Sequence, residues 1–380
     1  MIKPSNWEPF KIVLQRQVPI DVGKPIPMTV FQNKHPKNCG DPWIGAYSKH
    51  GFWYKFSYGT QTDYEKTVAL SFERDEYFLN YESFSTWKSI FEKQNFLYIV
   101  AKNLKDDILG SVAYGCYDSY AVIGVYYVTE EYRHSGIGEK LFREVLKRLS
   151  GKSVIFHSMS HLANKCVRFG LSIAPPKWQF IHYTLQNPSG YLDLKNESDI
   201  TLKAFNDLSA SETFALYRYD NELCGYHRES WIVEWMKHCN SETVVALDST
   251  VRCFFKNNVV GYGHIQEVSG GYLKRLLVGP LYATSENIVK ALLFELCKKY
   301  YNPDEDFEWD PDIFAIYRRN VHFMIPKNNT AMVEILNVFK GENGILKSER
   351  LFYETHCSDS VPTVKLGDVY ATSDLHLSII

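Results

Sequence analysis

The stretch "YRHSGIGEKLF", residues 132–142, decides the reading of this chain. Before it lies "YAVIGVYYV", residues 120–128, a continuous run of β-favouring residues. After it Ile137, Leu141, Val145 and Leu149 recur at four-residue spacing, with Glu139, Lys140, Arg143, Lys147 and Arg148 between them. That is the pattern of a helix with one buried face, expected to run to about Ser150. A strand therefore becomes a helix across Arg133-His134-Ser135-Gly136-Ile137-Gly138. A helix start leaves its first amides without partners and carries about half a positive charge, which favours an anion. Glycines there keep Cβ atoms out of an anion's way. Between Arg133 and Lys152 six Arg or Lys stand against two Glu, a local balance of +4 in a chain whose formal net charge is -2.

Working outward, "FLYIVAK", "ILGSVAYGCYD" and "YAVIGVYYV" form three strands linked by short turns, an antiparallel meander. Two helical patterns precede them, "TDYEKTVALSFERDEY" and "YESFSTWKSIFEKQ", the second with Phe84, Trp87, Ile90 and Phe91 on one side. Beyond the central helix come a strand "SVIFHS", a helical patch "SHLANKCVRFG" and a strand "WQFIHYTL". The class is α/β with mixed, largely antiparallel sheets flanked by helices.

With 380 residues the chain can hold two cores. Residues 1–48, with seven prolines, read as an extended arm. A polar segment rich in Pro, Gly, Asn and Ser at 186–199 marks a boundary, so residues 49–190 form one domain and 191–380 another. The second resembles the first at an offset of about 150: Gly110 maps to Gly261, Val128 to Val278, and "GIGEKLFREVLKRL" to "ENIVKALLFELCKKY".

The near-neutral charge gives no general attraction for nucleic acid or anionic membrane, and the aromatic residues fall at core spacings. No apolar run reaches the ~20 residues of a membrane-spanning helix. Eight cysteines without a C-x-x-C pair, and no signal-peptide pattern in the first thirty residues, point to reduced thiols in the cytoplasm. His157, His161 and Cys166 lack a fourth partner at fixed spacing, so no metal is expected.

Three phosphate motifs compete for the join. A P-loop needs a hydroxyl residue after Lys140, where Leu141 stands; a dinucleotide fingerprint needs a third glycine there and an acidic residue near His157-Ser158. The third pattern, [QR]-x-x-G-x-[GA] opening a helix directly after a strand, is intact from Arg133 to Gly138. On these residues the sequence resembles the GNAT superfamily of N-acetyltransferases, over roughly 50–185 in element order and most specifically over 122–150. The resemblance implies that acetyl-coenzyme A is the cosubstrate and an amine the acceptor, without nucleic acid or membrane. It implies that Arg133, His134, Ser135, Gly136, Ile137 and Gly138 meet the diphosphate, and Tyr126, Tyr127 and Val128 the pantetheine. Asn164 fits the family's asparagine loosely.

The second half resembles the C-terminal domain of tandem GNAT proteins, through Tyr219, Asp220, Arg228, "VVGYGHI", "VGPLYA", "IPKNNTA" and "RLFYE". At the 150-residue offset its loop is "ATSENI", with Glu286 in place of Gly136. It is therefore expected to shape the acceptor site or to support a homodimer without holding coenzyme A.

Amine acetylation needs a proton acceptor, and "YAVIGVYYV" supplies no carboxylate. Tyr126, Tyr127, His157 and His161 are the available groups, with His157 and Tyr126 the catalytic candidates. The family's tyrosine acid, four residues before Gly170, is replaced by Cys166. These missing parts motivate an alternative, a catalytically inactive acyl-coenzyme A binding or regulatory protein. A purely structural module would bind no coenzyme at all.

Overall fold

The computed structural model describes residues 42–75, 79–91, 95–117, 120–194, 200–238, 240–248, 258–270, 273–301, 320–356, 362–373, 375 and 377–378. The proline-rich arm lies outside them up to residue 41. Its last part, Pro42–Tyr47, is a regular strand, β1, because it pairs antiparallel with Trp53–Tyr58, β2.

Helices α1 (Gln61–Asp75) and α2 (Ser83–Ile90) follow, then the expected meander β3 (Phe96–Lys102), β4 (Ile108–Cys116) and β5 (Tyr120–Val128). Helix α3 (Ile137–Arg148) crosses to β6 (Ser153–Met159), which lies parallel to β5. Ile137, Leu141, Val145 and Leu149 are all buried, as their spacing predicts. Next come α4 (Ser160–Val167), the short β7 (Ser172–Ile173) and β8 (Gln179–Gln186).

The second half repeats this order with β9 (Ile200–Ala204), α5 (Ala210–Cys224), α6 (Glu229–Met236), β10 (Ser241–Asp248), β11 (Val259–Gly270) and β12 (Leu273–Ala283). Helix α7 (Glu286–Tyr301) and β13 (Asn320–Pro326) follow, with β13 parallel to β12. The chain closes with α8 (Thr330–Lys340), β14 (Ile345–His356) and β15 (Val369–Ala371). No described helix is long and apolar enough to cross a membrane.

The strands join one mixed sheet whose order runs β1-β2-β3-β4-β5-β6-β14-β8-β13-β12-β11-β10-β9. The centre of that order is an exchange. Strand β8, from the first half, pairs with β13 of the second, while β14, from the end of the second half, pairs with β6 of the first. The two exchanged strands also pair with each other, from Ile345↔Gln186 to Tyr353↔Gln179.

The internal likeness is spatial. Gly110 on β4 stands opposite Val128, and Gly261 on β11 opposite Ala283. A Cβ on Gly110 would meet the Tyr127 carbonyl at 2.9 Å; one on Gly261 would meet the Tyr282 carbonyl at 2.7 Å. Val128 therefore corresponds to Ala283, not to Val278 as the uniform offset predicts. Only Thr284 and Ser285 separate β12 from α7, whereas eight residues, 129–136, separate β5 from α3. The second half does not carry an altered version of the Arg-Gly-Gly loop; it is too short to form one.

One apolar cluster joins both halves, running from Tyr64, Phe84 and Trp87 through Val122 and Phe180 to Trp231, Trp235 and Tyr262. Within it Arg228 donates to Asp220 at 2.7 and 2.8 Å, both side chains fully buried, and the Tyr262 hydroxyl donates to the same carboxylate. Separate clusters lie under α3 and under α7.

Candidate functional site

Strands β5 and β6 are paired only from Tyr120↔Ser153 to Ile123↔Phe156. Beyond that point they part. Val125 has φ of 52°, in the left-handed region, and the β4–β5 register shifts between Ser111 and Ala113. A β-branched residue there is costly, of order 1–3 kcal/mol, so the surrounding packing must impose it. The Ser111 hydroxyl donates to the Val125 carbonyl at 2.9 Å. The bulge bends β5 away from its neighbour, and the gap widens into a cleft of about 640 Å³.

The head of the cleft is the Arg133–Gly138 join. Gly136 has φ of 89° and caps α3 without a side-chain bond. The Ser135 carbonyl, which the first turn would otherwise use, instead accepts from the Lys49 amide at 2.9 Å. Among the described residues, the amides of Gly136, Gly138 and Glu139 find no acceptor. No carboxylate caps them: Glu139 turns to Arg143, 3.1 Å away, and to Lys49 at 3.7 Å. The helix start therefore presents unsatisfied donors to the cleft.

The two glycines serve different ends. Gly136 needs the left-handed conformation, and its outer side is covered by the Lys49 side chain, 3.2 Å from an added Cβ. At Gly138 an added Cβ would come within 2.6 Å of the Tyr126 hydroxyl and 2.9 Å of Val128. Gly138 thus also lets α3 seat closely on β5.

Of the residues picked from sequence, Tyr126, Tyr127, Val128, Arg133, His134, Gly136 and Gly138 line the cleft. Ser135 and Ile137 are buried behind it, and Asn164 is exposed on α4, outside the lining. Arg133 folds back so that its Nε donates to the Val128 carbonyl at 3.1 Å. The two catalytic candidates do not meet. Tyr126 packs on Phe142 and Phe156 on the α3 side, whereas His157 lies edge-on to Phe180 on the opposite face.

Residues not singled out as site residues also line the cleft: Lys49, Arg143, Met159, Leu162, Lys165, Arg168 and Phe169. Arg143 and Lys165 look like solvated helix faces in the sequence. Including Arg133, five cationic side chains line the cleft and Glu139 is the one acid among them. Burial, then Lys165 and Arg133, hold His161 below its ordinary pKa. Burial pushes the Cys166 thiol up to about 11, so it stays protonated near neutrality.

In the second half the corresponding gap between β12 and β13 is spanned by the chain itself. Strand β15 pairs with β12 through Leu281↔Ala371 and Tyr282↔Val369, and the Thr372 amide donates to the Met324 carbonyl on β13 at 2.8 Å. Val369, Ala371 and Thr372 are fully buried.

Residues 61–165, from α1 to α4, match the acetyltransferase (GNAT) family model. That segment is similar to a GNAT acetyltransferase domain. No curated protein matches the chain in sequence. Among solved structures, a protein of Pyrococcus horikoshii assigned as an acetyltransferase is similar over 91% of this chain and 100% of its own, with 17% identity and TM-score 0.60. A tandem GNAT protein from the clavulanic acid biosynthesis pathway is similar over 81% of this chain and 100% of its own, at 11% identity and TM-score 0.55. A GCN5-related N-acetyltransferase from Sphaerobacter thermophilus covers 80% and 95%, at 12% identity and TM-score 0.50. At these identities the likeness is one of fold. The matched residues include most of the cleft lining, from Tyr126 to Lys165.

Proposed function

We propose that the chain is an acetyl-coenzyme A dependent N-acetyltransferase that moves the acetyl group directly to an amine in a ternary complex. One observation carries this reading: the amides of Gly136, Gly138 and Glu139 stand without acceptors at the head of a cleft lined by five cationic side chains. A diphosphate is the group that such a helix start suits, and the parted edge of β5 at Tyr126–Val128 offers backbone groups to an amide-bearing arm.

Two features favour direct transfer. The only cysteine lining this cleft, Cys166, is held as a neutral thiol and is a poor nucleophile for an acetyl-enzyme intermediate. The cleft also lies where β5 and β6 part, which leaves room for an amine to meet the acyl donor. An alkyl amine with pKa ~10.4 costs about 4–5 kcal/mol to deprotonate at pH 7, so a proton acceptor is required. His157, one residue past the last β5–β6 pair and behind the residues that line the cleft, is the candidate for that task. A β5 amide near Val128 would face the oxyanion.

In this reading residues 49–190 hold the coenzyme and residues 191–380 form a second, GNAT-like domain that holds none, since β15 fills its gap. The reaction places the chain in the cytoplasm, with its acetyl-coenzyme A supply. The experiment is thiol release from acetyl-coenzyme A with a panel of primary amines, run beside calorimetric coenzyme binding. Turnover with at least one amine supports the enzyme; binding without turnover on any amine supports the inactive acyl-coenzyme A binding protein instead.

A further inference from the structure

The carboxylate missing from β5 is present in the fold, on a strand from the far end of the chain. Strand β14 runs beside β6 so that Glu354 stands directly opposite His157. Its Oε2 lies 3.5 Å from the His157 Nε2, with side chains 0% and 1% exposed. Among the described residues, neither carboxylate oxygen has a hydrogen-bond partner, and neither does either ring nitrogen of His157. The other titratable neighbour is His356, two residues along the same strand, with Nδ1 3.9 Å from Oε1 and itself 16% exposed. The Phe180 ring stands edge-on to the His157 ring, with centroids 5.6 Å apart.

A buried carboxylate without donors is costly, by several kcal/mol unless a proton-bearing group stands beside it. Packing alone does not account for one opposite the first residue past the β5–β6 divergence. We propose that Glu354 is the positioning residue for His157, fixing its tautomer so that the imidazole can take the proton of the acceptor amine. This rests on the acyl-transfer reading of the cleft. A carboxylate only accepts hydrogen bonds, so the nitrogen facing it, Nε2, carries hydrogen, and Nδ1 keeps the lone pair. The 3.5 Å separation is longer than a formed hydrogen bond, as catalytic contacts often are before substrate binds. In the reaction Nδ1 takes the amine proton, the amine nitrogen bonds to the acetyl carbon, the carbon–sulfur bond breaks, and the electron pair leaves with the coenzyme thiolate. Because β14 belongs to the second half, the first half's site is incomplete without it.

The test uses the full chain with Glu354→Gln, His157→Asn and the double variant. Kinetics are read with acetyl-coenzyme A and the panel amine that the wild type turns over fastest, and ring-nitrogen spectra are recorded on histidine-labelled protein. Glu354→Gln should lower kcat at least tenfold while the KM for acetyl-coenzyme A stays within twofold. The double variant should be no slower than His157→Asn alone, within twofold, because Glu354 acts only through the imidazole. The His157 nitrogens should shift toward the other tautomer, since a glutamine amide can donate to Nε2. Retention of kcat in Glu354→Gln, multiplicative losses in the double variant, or unchanged His157 nitrogens would each overturn the proposal while leaving coenzyme binding intact. A wild type that binds coenzyme yet acetylates no amine would instead remove the acyl-transfer reading, with the nitrogen spectra still reporting the pairing. If Glu354→Gln does not fold, Glu354→Asp withdraws the carboxylate by one methylene and should show the same kcat loss.

Discussion

The Tyr126 hydroxyl lies where a Cβ on Gly138 would come to 2.6 Å, so the first turn of α3 rests directly on the end of β5. That seating aims the helix amides along the cleft. Gly138→Ala should tilt or lift the helix start and weaken acetyl-coenzyme A binding at least tenfold in calorimetry. Tyr126→Phe in the same chain removes the clashing oxygen and should recover part of the loss. Unchanged affinity in Gly138→Ala would mean that the seating is irrelevant to binding.

Gly136 sits at φ of 89°, where other residues pay roughly 1–2 kcal/mol. Gly136→Glu adds that strain and a negative charge at the amides, and should reduce coenzyme affinity a hundredfold or more. Gly136→Asn, which tolerates the left-handed region, should lose far less. Equal losses in the two variants would assign the effect to the backbone and not to charge.

Much of this was legible in the sequence because it is local. The period of Ile137, Leu141, Val145 and Leu149 gives α3, and the glycine spacing marks its start. Strand β5 was found, but its uniformly apolar run hides the bulge at Val125: with no polar residue to break the alternation, one face cannot be told from the other. Pairing of β14 with β6, and hence Glu354 beside His157, involves residues nearly two hundred positions apart and leaves no local pattern. Lys49 reaches the site from β1–β2, nearly ninety residues before Gly136, both through its backbone amide and as a cationic side chain in the lining. The loop of the second half was misjudged because one offset of about 150, read from Gly110–Gly261 and the helices, was carried through the strand end, where Val128 and Ala283 align at 155.

Coenzyme should bind with a stoichiometry of one per chain. The second half has two residues between β12 and α7, and its sheet gap is spanned by β15, with Thr372 bonded to Met324. Isothermal titration that saturates at two equivalents would contradict the filled gap.

The buried pair Asp220–Arg228 anchors α5 to α6 within the shared core. Arg228→Met leaves the carboxylate without its cation, with the Tyr262 hydroxyl and Cys224 thiol still donating, and should cost about 3–5 kcal/mol of stability. Denaturant unfolding measures it, and a loss under 1 kcal/mol would show that water or another group replaces the guanidinium.

Acid should unfold the protein through histidines held neutral. Burial, then Arg350 and Arg275, push His182 down to about 3, and burial, then His238, does the same to His264; burial, then His182 and Arg275, drives His322 well below its ordinary value. The unfolded chain binds protons at these positions near pH 6.5 while the native state does not. Their stabilising effect is complete above that pH and is lost as pH falls toward 3, by up to about 1.4 kcal/mol per pH unit for each. Denaturant midpoints at pH 7 and pH 5 should differ accordingly, and His264→Asn should reduce the slope. A flat profile between these values would contradict the neutral burial.

The central claim, that the Gly136, Gly138 and Glu139 amides hold the coenzyme diphosphate, is tested most directly by titrating nitrogen-labelled protein with acetyl-coenzyme A and following those three resonances. Large downfield shifts that saturate together at one equivalent, and that dephosphorylated pantetheine fails to produce, are the expected result. If the three resonances stay in place while the coenzyme binds, the diphosphate lies elsewhere and the account is wrong.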